Sequence, residues 1–181
     1  MHKLGHLVDG EWREYSQAPL FMAGPGRVIA AVPSGEIAVV AAAASLLTPP
    51  LFLLYVLHTP RGEGEPGRYQ SDEIDAAELQ AFLASYGRFL AADSRFDLWF
   101  HSPADRATLV WDRHNLLHAY GMTDVLVPSL RAMGFRDGDV IVPVPHAHYY
   151  HAELDELAAA LLANRGWNRT PLQPGDEQTV S

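Results

Sequence analysis

Three short runs rich in strand-forming residues, Phe96–His101, Thr108–Asp112 and Leu116–Tyr120, follow one another with only turns between them. Parallel strands need a crossover of about a dozen residues or more, usually a helix, whereas antiparallel neighbours need only a tight turn. The segment SPADRA and the Arg113-His114-Asn115 turn leave no room for such a crossover. A central three-stranded antiparallel meander is the expectation, and the alternative of a doubly wound parallel sheet fits worse. With Ala104 and Asp105 in the first turn, Phe100 faces Leu109 and Leu98 faces Trp111, which makes one side of the meander apolar. Asp97, Trp99 and His101 alternate to the other side.

An apolar sheet face needs a cover, and the chain supplies one. Asp75 and Glu78 form a capping-box pattern, and Leu79, Phe82, Leu83, Tyr86, Phe89 and Leu90 recur at helical spacing along one stripe. Before this helix, Val28–Val32 reads as a strand ending at Pro33, with Ser34 placed to cap a helix through Leu47. Leu51–Leu57 has the apolar density of a strand buried on both faces, and the Gly- and Pro-rich segment Thr59–Asp72 is a loop. After the meander come a helix from Asp124 to Met133, stopped by Gly134, a last short strand at Val140–Val142, and an amphipathic helix marked by Leu154, Leu157, Ala158, Leu161 and Leu162. The expected class is α+β, a mainly antiparallel sheet with helices packed against it. Residues 1–165 form one domain, followed by a polar tail over 166–181.

At 181 residues, with 48% hydrophobic and 19% charged residues, the chain has a globular composition and one core's worth of length. Its net charge of −9 repels phosphate backbones and anionic lipid, so neither nucleic acid nor a membrane is an expected partner. Twelve of the thirteen basic residues are Arg, a bias that reads as base composition rather than function. Without cysteine there is no disulfide framework, thiolate metal site or cysteine nucleophile. The N-terminus lacks the apolar core of a signal peptide, which points to a cytoplasmic location. Ile37–His58 carries no formal charge over a length that could span a bilayer, but Pro49 and Pro50 break it in the middle. A buried helix followed by a buried strand accounts for the same residues.

Chemistry concentrates in PVPHAHYYHAELD, Pro143–Asp155, which holds His146, His148 and His151 followed by Glu153. Pro143 and Pro145 favour an extended entry, so alternation puts His146 and His148 on one side, close enough to share an ion. His151 can fold back as a third ligand. Two or three His with a carboxylate suit a divalent metal such as zinc, nickel, manganese or ferrous iron. The competing reading makes these exposed loop residues, with Glu153, Asp155 and Glu156 favouring the positive end of the next helix. His146-x-His148-x4-Glu153 resembles the first metal-binding motif of the cupin family, in which two His and a Glu hold a divalent ion. Cupins are all-β barrels with a second His motif downstream, whereas here a helix pattern follows and no His comes after His151. His151-Ala152-Glu153 matches the H-x-E of zinc deaminases, yet their paired cysteines are absent.

A second group lies on the meander: Asp97, His101, Asp112, His114 and His118. Asp112 and His114 flank a tight turn in the Asp-beside-His arrangement that orients imidazole in catalytic and metal sites, which makes them the candidate catalytic pair. Ordinary turn chemistry explains the same residues. Any partners of His146 and His148 are expected from this meander, which would merge the two groups into one site. Arg61, Arg68 and Tyr69 form a third candidate, a loop that could clamp an anionic ligand. Two functions remain open: a small metal-binding protein or metal-dependent enzyme acting on a small molecule, and a non-enzymatic module that self-associates, as a homo-oligomer, or binds another protein through aromatics near Trp99, Tyr149 and Tyr150.

Overall fold

The computed structural model describes residues 1–163 and 166–176. The predicted meander forms, as β7 (Phe96–Ser102), β8 (Ala107–Trp111) and β9 (Leu116–Tyr120). Its register pairs Phe100 with Leu109 and Leu98 with Trp111. Around it a larger sheet assembles from β3 (Leu20–Gly24), β4 (Arg27–Ala31), β5 (Phe52–Leu57), β6 (Gly67–Gln70), β10 (Arg136–Asp137) and β12 (Asn168–Thr170). The nine strands run in the order β10-β3-β4-β9-β8-β7-β5-β6-β12, antiparallel throughout except where β10 meets β3. The fold class is therefore α+β.

Helices α1 (Ile37–Ala44), α2 (Ala76–Ala92), α3 (Thr123–Ala132) and α4 (Asp155–Ala163) cover one face of this sheet. Phe96, Leu98 and Phe100 of β7, Leu109 and Trp111 of β8 and Leu53, Tyr55 and Leu57 of β5 meet Phe82, Leu83, Phe89 and Leu90 of α2 in a single apolar core. The capping box at the start of α2 is complete: Asp75 accepts from Glu78 N and Glu78 accepts from Asp75 N, each at 2.8 Å. Such a cap contributes about 1 kcal/mol, but the buried stripe does more, since each large side chain removed from water is worth about 1.5–3 kcal/mol. No described helix is long and apolar enough to cross a membrane. The uncharged stretch Ile37–His58 instead divides into α1 and β5.

Several local expectations change. Ser34 does not cap α1; it takes a φ of 48° in a 3-10 turn and bonds Ser16, and Glu36 precedes the helix without a side-chain cap. Val140–Val142 is not a strand, because its residues lie as a cover on Ile29, Ala31 and Leu116 rather than pairing at a sheet edge. β5 is buried on the helix side, while Phe52 and Leu54 on the other side are only half-buried. Within the segment read as a tail, 168–170 pair with β6 as the edge strand β12, and Asp176 is buried beside Arg68; residues 177–181 lie outside the described residues.

The chain's start builds a second, smaller sheet. β1 (Leu4–Val8) pairs on one side with β2 (Glu11–Glu14) and on the other with β11 (His146–His148), all antiparallel. Lys3, at its entrance, is fully buried with its ammonium 4.1 Å from the centre of a Trp111 ring and 3.4 Å from the Asp112 carbonyl. This small sheet therefore sits at the end of the large one where β8 turns into β9.

Candidate metal centre

The β8–β9 turn is built around one carboxylate. Asp112 N donates to Leu116 O and Asn115 N to Asp112 O, closing the hairpin, and Asn115 takes the left-handed φ of 59° that Asn tolerates. The buried Asp112 side chain folds back over the turn. Its Oδ1 accepts from His114 N at 2.9 Å and Leu116 N at 2.8 Å, and its Oδ2 accepts from the rings of His114 (Nδ1) and His118 (Nε2), each at 3.1 Å. His114 is thereby fixed at both backbone and ring. Burial alone would raise the Asp112 carboxyl, but the hydrogen bonds and charges of the two imidazoles hold it well below the usual carboxylate range.

Facing this turn is β11, whose register with β1 sets His146 opposite His6 and His148 opposite Leu4. Alternation along the strand turns His146 and His148 to the same side. Their backbone continues into firm anchors: Tyr149 N donates to Lys3 O at 2.8 Å, Ser94 N to Tyr149 O at 3.1 Å, and His151 N to Asp93 Oδ2 at 2.9 Å. Asp93 is itself gripped by the buried guanidinium of Arg95 through bonds of 2.8 and 2.9 Å. The same guanidinium reaches Glu63 and Asp155, so one arginine ties the His-bearing segment to the long loop and to α4.

The result is a triangle of imidazoles. Ring centres lie 5.3 Å apart for His114 and His146, 5.0 Å for His114 and His148, and 5.2 Å for His146 and His148. One nitrogen of each falls within 4.8 Å of the others, the only such set of His and acidic groups among the described residues. In His114 the Nδ1–H is spent on Asp112, and in His146 it donates to the Pro143 carbonyl at 2.9 Å, so each offers Nε2. His148 Nε2 is buried and has no partner. Burial first, and then the neighbouring His114, Arg113 and His146, push the His148 imidazole down to about 3, which keeps it in the neutral form that binds metal. Carboxylate and carbonyl acceptors behind two of the three rings are the usual second contacts of metal-bound histidine.

The remaining sequence candidates fall elsewhere. His151 turns its Nε2–H to the His2 carbonyl at 3.0 Å, and Glu153 is exposed in a 3-10 turn before α4, so neither joins the triangle. His101 bonds Thr108 far along the meander, and Asp97 pairs with His58 at 3.0 Å. Asp112 and His114 are hydrogen-bonded across their turn, and His114 stands as a third imidazole beside His146 and His148, so it is the meander residue at which the two sequence groups meet. His118 is fully buried and bound to Asp112 rather than joining the triangle. Sequence reasoning missed Lys3 and the Asp93–Arg95 anchor. A lone Lys at position 3 and an Asp-Ser-Arg turn carry no pattern that marks burial.

Comparison with protein-family models, curated proteins and solved structures returns no match to this chain.

Proposed function

We propose that this protein binds one divalent metal ion through Nε2 of His114, His146 and His148, and uses it on a small molecule. The observation that supports this reading is the convergence of three ring nitrogens, two on imidazoles already oriented by Asp112 and the Pro143 carbonyl, the third buried and otherwise unpaired. Zinc is the first candidate. Nitrogens at about 2.0–2.1 Å from zinc stand roughly 3.4 Å from one another in a tetrahedron, so the rings, whose nitrogens lie within 4.8 Å of one another, close together on the ion. Nickel, manganese and ferrous iron accept the same donors.

Three protein ligands leave a fourth position for water or a substrate atom, which is the pattern of catalytic rather than structural zinc. Each of the three residues is partly exposed, although the His148 Nε2 itself is buried. A water at the fourth position would ionise near neutral pH and act as the nucleophile in hydrolysis or hydration. The test is elemental analysis and thermal denaturation of untagged protein. About one zinc per chain, or a raised Tm on adding zinc to stripped protein, is expected; no bound metal and no shift with zinc, nickel or manganese overturns the reading.

A further inference from the structure

The large sheet has helices on one face only. On the other, Val140 and Val142 cover Ile29, Ala31 and Leu116 toward one edge, and residues 172–176 approach His58 and Arg68 toward the other. Between these covers a cavity of about 460 Å³ opens on the strands themselves. That volume is within the range of small-molecule sites.

Its walls have a definite polarity. Phe52 and Leu54 of β5, Trp99 of β7 and Pro103 supply an apolar, partly aromatic surface. Strand pairing explains their grouping, since Leu54 stands directly opposite Trp99, and Phe52 opposite His101. His101 is engaged with Thr108 at 3.0 Å, and Arg68 is the one Arg or Lys on the lining. Its Nη1 lies 3.2 Å from the Asp176 carboxylate, which shows a carboxylate accommodated at this guanidinium, and the planar fork has further N–H donors to offer. None of the lining residues belongs to the histidine triangle.

We propose that this cavity is a binding site for a small aromatic carboxylate, its ring against Trp99 and Phe52 and its carboxylate on Arg68. Ring-on-ring contact suits a flat ligand, and the Arg68 guanidinium, partly exposed and paired on one side with Asp176, offers further charge-assisted N–H donors to a carboxylate that a neutral analogue cannot use as well.

The probe is 2-naphthoate, titrated calorimetrically into the full chain, with 2-naphthol and methyl 2-naphthoate as ligands of matching shape and no charge. Saturable binding of naphthoate at one site per chain, at least tenfold tighter than either neutral ligand, is expected. Arg68→Gln should abolish that preference and Trp99→Leu should weaken all three ligands by about tenfold. Equal affinity for charged and neutral ligands, or a preference that survives Arg68→Gln, overturns the assignment. Absence of saturable binding by any of the three to the unmodified protein does so without reliance on a variant's folding.

Discussion

Two buried aspartates, each bound to histidine, flank the same turn, and only one of them belongs to the candidate metal centre. Asp97 accepts from Arg113 N at 2.8 Å and from the His58 ring at 3.0 Å; Asp112 accepts from His114 N at 2.9 Å and from the His114 ring at 3.1 Å. Both carboxylates are nearly inaccessible to solvent, and both hold a backbone N–H and an imidazole. The difference is what the imidazole faces. His58 turns toward the C-terminal segment around Gln173 and Asp176, whereas His114 turns toward two more histidines. An Asp–His pair is thus a general way to satisfy a buried carboxylate, and metal chemistry depends on what a second, separate strand delivers.

The largest expected effect separates the two pairs outright. His114→Ala, His146→Ala and His148→Ala should each weaken zinc binding by more than about 100-fold in competition with a chelating dye, because each removes a ligand and not merely its support. His58→Ala, made on the same turn's other clamp, should leave affinity within about threefold. If His58→Ala weakens zinc as much as His114→Ala does, the distinction between the pairs collapses.

A smaller effect sharpens the same contrast. Asp112→Asn keeps the shape but loses the charge that orients His114, and should cost about 10- to 100-fold in zinc affinity. Since the carboxylate accepts from four donors, urea unfolding should also show a loss of about 3 kcal/mol. Asp97→Asn, whose carboxylate accepts from two donors, should also destabilise, by about 1.5 kcal/mol, yet shift zinc affinity little, since its imidazole is not a ligand. Losses of stability in both with divergent losses of affinity are the signature sought.

Much of the scaffold was legible in the sequence because it rests on local signals. Short connections dictated the antiparallel meander down to the pairing of Phe100 with Leu109, and the Asp75–Glu78 box marked where α2 begins. His146 and His148 were legible as a pair because a strand's alternation is local too. Their third partner was legible only as some residue of the meander, since which one it is depends on β1 at the far end of the chain pairing with β11 and carrying it over the β8–β9 turn. β1 has no strong strand pattern: LGHLV begins with a Leu and a Gly whose space is filled by the Tyr149 ring, a long-range fit invisible in composition. Asp112 and His114 could be named as a pair from their turn, and the meander as the source of a partner for His146, but not His114 in preference to its other histidines.

Lys3 gives the smallest and most particular test, because its buried ammonium lies within the field of both carboxylates. Burial first lowers its ammonium, against the pull of Asp112, Asp97 and Asp93, to about 8 from its ordinary 10.5. Below pH 8 both the folded and the unfolded chain hold the proton, and the folded state bears the full cost of a desolvated charge. As pH rises from 8 toward 10.5 the folded chain releases that proton first, the unfolded chain binds more protons, and the free energy of unfolding must increase with pH. Between pH 7.5 and 9.5, below the range where the buried Tyr55 hydroxyl ionises even in an unfolded chain, this contribution amounts to about 2 kcal/mol. Metal-free Lys3→Met should lack the rise, so the stability difference between unmodified protein and variant should move by that amount in favour of the unmodified protein across the window, read from urea unfolding at each pH. A difference that stays flat would mean that Lys3 is not held as a buried ammonium between the two pairs, and that Asp97 and Asp112 are balanced by their own histidines alone.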